Sequence, residues 1–451
     1  MTTYPMPVLD DQDLAAAQAR IAEAGVRLLT GSVVDPAGVI RAKHVPADRM
    51  GAFHVNGMGA SPSWNVFCID NGLAFTPRFG VVGDLRLRAD LTALRVLGDG
   101  LAWAPAEMFT QDGAPATVCT RGLLRLTQAG LADQRVEALL GSELEMVLTP
   151  RTGPGWNAYG LGALFDVEPF AVDLVAAAEQ AGLPLEQIHA EYGDSQFEFS
   201  LSPTDPLTGA DNVVLARVVA GRVARRHGLA VSFSPQPFAG GSGNGAHQHL
   251  SLVRDGVPLF SGGTGPHGLT EDGCAALAGI VSGLPELLAV FAGSVLSAPR
   301  LQAGHWSGAF GCWGLENREA AVRLCAATPG NPHGASVELK CIDPSANPYL
   351  AAATFLGLAQ EGLSARAPLP PEVTIDPAAL TAEEATRTAT VRLPLDQAAA
   401  LRALDGSALA RRLLGDEILE ALSAVRHYEH DTYGEEDIAV LAERFRYTWS
   451  A

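Results

Sequence analysis

The chain reads as an α+β protein in two units, a small one over residues 1–115 and a larger one over residues 116–451. Three observations lead there. The 451 residues exceed one ordinary domain of about 100 to 200 residues. Apolar residues recur at helical spacing in some segments and at strand spacing in others. The turn formers QDGAP at 111–115 separate a stretch of short strands from a stretch of strands set between long helices.

Taken in order, residues 10–24 repeat Leu and Ala at helical spacing, with Gly25 as a stop. Residues 26–34, 66–69 and 73–75 read as short strands broken by Gly, Pro and Asn, and residues 118–129 lead into a helix. Beyond them, 141–148, 188–201, 230–235 and 246–253 read as strands, and 167–181 and 210–227 as helices. Residues 274–297 form the most apolar long stretch. Ser282, Pro285 and Glu286 interrupt it, which suits a buried helix pair better than the ~20 unbroken apolar residues of a membrane span, so no membrane segment is expected. Residues 368–381 are Pro-rich, and 395–404 and 407–427 are helical again, a C-terminal cap on the larger unit.

Composition narrows the function. A hydrophobic content of 47% is ample for a buried core and excludes a disordered chain. A net charge of −19 opposes a polyanionic partner, because nucleic-acid binding draws its affinity from cationic contacts to phosphate. The six cysteines never fall at zinc-finger spacing, and the N-terminus has no basic start followed by an apolar run. A reduced, cytoplasmic chain without a signal peptide is expected.

In a strand, residues i and i+2 share a face, so alternation identifies polar groups that converge. In GSELEMVL, Glu143 and Glu145 oppose Leu144, Met146 and Leu148. In IHAEYGDSQFEFSL, His189 pairs with Glu191 and, after a turn at Gly193 and Asp194, Gln196 pairs with Glu198. His247, His249 and Ser251 line up in NGAHQHLSL, and Glu338 and Lys340 in SVELKCID. Each pair taken alone fits a half-exposed strand with a solvated face. If the four faces look into one cavity, five carboxylates and three imidazoles meet there and repel one another without cations. Oxygen-rich sites with few nitrogens favour Mg²⁺ or Mn²⁺ over Zn²⁺. Arg300, Arg318 and Arg323 supply guanidinium forks for phosphates or carboxylates, and Gly240, Gly241, Gly243 and Gly245 allow backbone to approach a ligand closely.

These segments resemble the glutamine synthetase superfamily in order and spacing from about residue 31 to 428. HAEYGDSQFEF, the helix and strand segment starting DPLTGADN, GSGNGAHQHLSL, ENREAAVRL and SVELKCIDPSANPYLAAA each look like a family signature. The resemblance implies a small N-terminal β-grasp domain and a catalytic domain with a curved antiparallel sheet flanked by helices. It implies two or three Mg²⁺ or Mn²⁺ ions, one held by Glu145, Glu191 and Glu198, another by Glu143, His247 and Glu338. His249, Ser251, Arg318, Arg323 and Lys340 fall where the family contacts ATP, with Arg300, Gly243 and Lys340 toward glutamate. Asp84 in VGDLRLRAD matches a family aspartate, and Arg300, Arg318 and Asp84 are the implied catalytic set. Ring-shaped homo-oligomers, commonly dodecamers, are implied too, each site being completed by a neighbour's N-terminal domain.

The chain departs from the family at the amine side. RLQAGHW puts Trp306 where the family has the glutamate that closes the site and binds ammonium, and no acid occurs between Arg49 and Ile69, where the family carries an aspartate. Lys340 and Ser336 each replace a family arginine. The departures favour glutamate and a small organic amine as substrates, as in the γ-glutamylpolyamine, γ-glutamylethanolamide and γ-glutamylalkylamide synthetases. Two alternatives stand beside this: an ammonia-using glutamine synthetase, and a catalytically silent relative with a binding role.

Overall fold

A computed structural model describes residues 5–451 apart from 151, 152, 154, 332 and 395. After a helix Asp11–Glu23, capped by the Asp10 side chain, six strands make the first sheet. They are β1 (Leu28–Val34), β2 (Ile40–Pro46), β3 (Met58–Ala60), β4 (Leu85–Ala89), β5 (Arg95–Gly98) and β6 (Leu101–Phe109). Their order is β2-β1-β6-β4-β3, with β5 on β6. The strands expected at 66–69 and 73–75 do not form. Phe67 and Leu73 meet in a single isolated bridge, because the segment has too few residues between its turns for a ladder.

Ten strands make the second sheet: β7 (Val136–Thr149), β8 (Leu185–Ala190), β9 (Gln196–Thr204), β10 (Ala230–Ser232), β11 (Gln248–Arg254), β12 (Val257–Pro258), β13 (Phe310–Leu315), β14 (Ala320–Cys325), β15 (Ser336–Leu339) and β16 (Val391–Arg392). The main order is β16-β13-β14-β15-β11-β7-β9-β8. The stretch 188–201 forms two antiparallel strands, β8 and β9, divided at the expected turn at Gly193 and Asp194. The pairing is antiparallel except between β13 and β14, which lie parallel. A parallel pair ordinarily needs a long crossover. Here the strands are short enough for residues 316–319 to run back alongside them, and that return carries Arg318.

Alternation along β7 works as the pleat dictates: Leu144, Met146 and Leu148 are buried beneath the sheet, each contributing about 1.5 to 3 kcal/mol, while Glu143 and Glu145 face the other way into a cavity. Helices cover the apolar face, among them Pro206–Arg226, Glu271–Phe291 and Pro348–Ala365. The stretch at 274–297 is one long helix to Phe291 rather than a pair, because Pro285 is accommodated inside it. That helix is long and apolar enough to cross a membrane by length and composition, and it is mostly buried inside this protein. The C-terminal helices expected at 395–404 and 407–427 form as Gln397–Asp405 and Ala408–Tyr433, residue 395 lying outside the described residues.

A buried ionic joint ties the two sheets together. Arg121, at the start of the helix Thr120–Asp133, donates to Asp90 and Glu107 of the first sheet's region and bidentately to Asp211 of the helix Pro206–Arg226. Removing one partner from such a cluster leaves an uncompensated buried charge, which costs about 3 to 5 kcal/mol. Asn347 adds a second joint, capping the helix Pro348–Ala365 with its side-chain oxygen while its amide donates to the Val34 and Asp35 carbonyls.

Candidate active site

One large cavity, about 1290 Å³, opens over the polar face of the second sheet. Register explains why its groups meet. Glu145 stands opposite Glu198, and Glu198 opposite His189, so three strands set one row. In a second row Gly141, His249, Glu338 and Arg323 are successive cross-strand neighbours on four strands. Just before β11 the ladder continues, the Glu143 amide donating to the His247 carbonyl and the Glu145 amide to the Gly245 carbonyl. Gly245 lets this happen, since a Cβ there would lie 2.6 Å from His247 Nε2 and 2.9 Å from Glu145 Oε1.

Three groups of ligand atoms result, each within 4.8 Å: Glu143, His247 and Glu338; Glu145, Glu198 and His247; and His189, Glu191 and Glu198. The expected trio of Glu145, Glu191 and Glu198 is thus divided between two groups that share Glu198. Glu145 is drawn to the Gly245 amide and the Gln196 side chain at 2.8 and 3.0 Å, whereas Glu191 accepts from the Tyr192 amide at 2.8 Å and the Tyr159 hydroxyl at 3.1 Å. His247 joins the groups, its Nδ1 lying 3.4 Å from Glu143 and its Nε2 4.0 Å from Glu145.

The electrostatics are uneven. Burial and then the surrounding Glu143, Glu145, Glu191 and Glu338 push Glu198 well above the ordinary carboxylate range. Burial also acts on Glu338, but Lys340, His249 and His247 outweigh it and bring it down to about 2. His247 and His249 likewise outweigh burial to hold Glu143 well below its usual value. Glu198 is therefore left with unbalanced negative neighbours. Carboxylates in convergent groups with a few imidazoles match the donor preferences of hard divalent cations.

Arg300 is buried with Nη2 near His247 Nε2 at 3.1 Å, and its Nη1 has no hydrogen-bond partner among the described residues. Arg318 is exposed and lines the cavity, while Arg323 is held between Glu316 and Glu338. Lys340 Nζ donates to Glu338 at 3.0 Å, and the Ser251 hydroxyl to the Ala335 carbonyl at 2.9 Å. His249, Gly243 and Trp306 line the cavity as well, Trp306 with its indole exposed. Asp84 does not. It lies in the loop just before β4, where Gln111 donates to it, and within one chain the fold carries it away from this cavity. Sequence reading missed Tyr159, which stacks on His189 at 5.9 Å between centroids, and Glu186 and His333, which join across the cavity at 2.8 Å. No periodicity marks them, because they come from loops or the far edge strand.

The sequence profile of the glutamine synthetase catalytic domain matches residues 117–440. The chain belongs to the glutamine synthetase family. It is accordingly an ATP-dependent carbon–nitrogen ligase, of a family that uses ATP and divalent metal. It is 37% identical over 438 residues to the gamma-glutamylpolyamine synthetase GlnA3 of Streptomyces coelicolor, covering 94% of each chain. A glutamine synthetase of Clostridium saccharobutylicum is 29% identical over 78% of this chain and 82% of its own. Among solved structures, one described as a novel glutamine synthase homolog superposes with a TM-score of 0.86 at 29% identity, over 94% of this chain and 99% of that one. An ADP complex of GmaS gives 0.81 at 27% identity, over 93% and 97%.

Proposed function

We propose that the protein joins glutamate to an organic amine, forming a γ-glutamyl amide at the expense of ATP. In this reading a γ-carboxylate oxygen of glutamate attacks the γ-phosphorus of ATP and ADP leaves. The amine nitrogen then attacks the γ-carbonyl carbon, phosphate leaves, and the nitrogen loses a proton. Divalent ions, when bound, neutralise charge on the transferring phosphoryl group. Glu143, His247 and Glu338 would hold one, and Glu145, Glu191 and Glu198 the other, with His189 beside the second.

The chain's own residues do the rest. Arg318 donates to phosphoryl oxygens as charge spreads over them, and Arg323, Lys340, His249 and Ser251 line the ATP side. The unpartnered Nη1 of buried Arg300 takes a glutamate carboxylate oxygen, and Gly243 keeps backbone close to the substrate. Asp84, with exposed Val81 and Val82 nearby, would act in a neighbour's site within a ring-shaped homo-oligomer. The six cysteines are free, which fits a reducing cytoplasm.

One observation carries the choice of amine: Trp306 presents an exposed indole where the cavity opens, at the position where the motif resemblance implies the ammonium-binding glutamate of ammonia-using relatives. An indole accepts alkyl chains and cations on its face but cannot take a proton from ammonium. The relation to a gamma-glutamylpolyamine synthetase supports the same reading. The experiment is phosphate release from ATP with Mg²⁺ or Mn²⁺ and glutamate, across ammonium, ethanolamine, methylamine, isopropylamine, aniline, putrescine and spermidine, with mass detection of the amide. Turnover with an organic amine and little with ammonium is expected; turnover with ammonium alone would make this a glutamine synthetase.

A further inference from the structure

The loop that carries Trp306 is fastened at both ends and in its middle. Arg392 of β16 donates to the carbonyls of Leu301 and Ala309, bracketing residues 301–309. Between them, the Glu319 carboxylate accepts from the Trp306 amide at 2.8 Å through Oε1 and from the Gly304 amide at 3.3 Å through Oε2. Gly304 and Trp306 both have left-handed backbone, with φ of 79° and 52°. For tryptophan this conformation is disfavoured and persists only where neighbouring groups fix it.

Glu319 is 7% exposed and is absent from the cavity lining, so it holds the loop from behind. It is itself oriented by Asn317, whose Oδ1 accepts from the Glu319 amide at 3.1 Å while its Nδ2 donates to Val373 and Ile375 carbonyls. The same return of residues 316–319 presents Arg318 to the cavity. Arg318, which faces the phosphate side, and Glu319, which holds the loop at the amine side, are therefore adjacent residues on one short turn. Residues 303–306 of this loop are exposed, so the two bonds to the Glu319 carboxylate are what fix the Gly304 and Trp306 amides.

We propose that Glu319 is a positioning residue for the amine acceptor, setting the Trp306 indole at the cavity mouth by clasping the amides on either side of His305 and tying that loop to the turn that bears Arg318. The proposal rests on the glutamate–amine reading for what Trp306 faces, but the clasp itself does not. Two measurements separate them. Glu319→Ala and Glu319→Gln would be compared with the parent enzyme for KM and kcat toward the amine, KM toward ATP and glutamate, and amide hydrogen exchange in residues 301–309. In Glu319→Ala, loss of both acceptors is expected to raise KM for the amine by about tenfold or more while KM for ATP changes less than about twofold. Glu319→Gln keeps one acceptor and turns an NH₂ group on the other amide, so it should fall between. Exchange at Gly304 and Trp306 is expected to quicken while β13 and β14 stay protected. Equal rises in KM for ATP and amine, or unchanged exchange at those two amides, would overturn the proposal. A parent enzyme that turns over no organic amine would overturn the glutamate–amine reading instead, and the exchange result would still decide the clasp.

Discussion

Glu145 and Glu198 stand directly opposite one another in the antiparallel β7–β9 ladder. Like charges at such positions destabilise a sheet, and here Glu143, Glu191 and Glu338 add to the repulsion on a buried Glu198. Metal-free Glu198→Gln is therefore expected to be more thermally stable than the parent at pH 8. Saturating Mn²⁺ should raise the parent by several degrees, since a ligand at about 100 times its Kd adds roughly 2.7 kcal/mol, and should raise the variant much less. Chelation should abolish phosphate release and added Mg²⁺ or Mn²⁺ restore it. Melting curves with and without metal decide this; equal shifts in both proteins would count against cation binding at Glu198.

Arg318 and Arg323 differ in what holds them. Arg318 has no hydrogen bond or ion pair among the described residues, whereas Arg323 is bonded to Glu316 and Glu338. Arg318→Ala should lower kcat by roughly 10² to 10³, as loss of one preorganised donor to developing charge does, with the melting temperature unchanged. Arg323→Ala should lower both activity and melting temperature, because it uncovers buried Glu338. Steady-state kinetics beside thermal melts would test the contrast.

Replacing Trp306 by Glu restores a carboxylate at the cavity mouth. The ratio of turnover with ammonium to turnover with organic amines should rise by at least about tenfold, since a site that pairs with a small cation discriminates strongly. An unchanged ratio would mean that Trp306 does not set the acceptor.

Away from the cavity, burial raises Glu429 from its ordinary 4.5 to about 7, with Arg426 only partly opposing it. Because the folded value lies above the unfolded one, its contribution to stability is complete below about pH 4.5 and is lost as pH rises through about 7. Relative to Glu429→Gln, the parent should thus lose about 3 kcal/mol between pH 4.5 and pH 8. Denaturant unfolding of both proteins across that range measures the difference, and a pH-independent gap would contradict the burial argument.

Which faces of the strands are polar was legible because the pleat is local: Glu143 and Glu145 must oppose Leu144, Met146 and Leu148 whatever the strand pairs with. The helices at 167–181 and 210–227 were legible for the same reason, and they form as Glu168–Ala181 and Pro206–Arg226. Motif order carried the family. Strand order and register were not legible, since they follow from packing between residues far apart in sequence, and only they place Glu338 beside His249 and Arg323. The same long-range packing splits Glu145 from Glu191, takes Asp84 out of this chain's cavity, and reduces 66–75 to one bridge. Glu319 is the plainest case: within ENREAAVRL nothing distinguishes it from a surface charge, and its hold on Gly304 and Trp306 exists only because a short return between two parallel strands folds it against a loop 13 residues upstream.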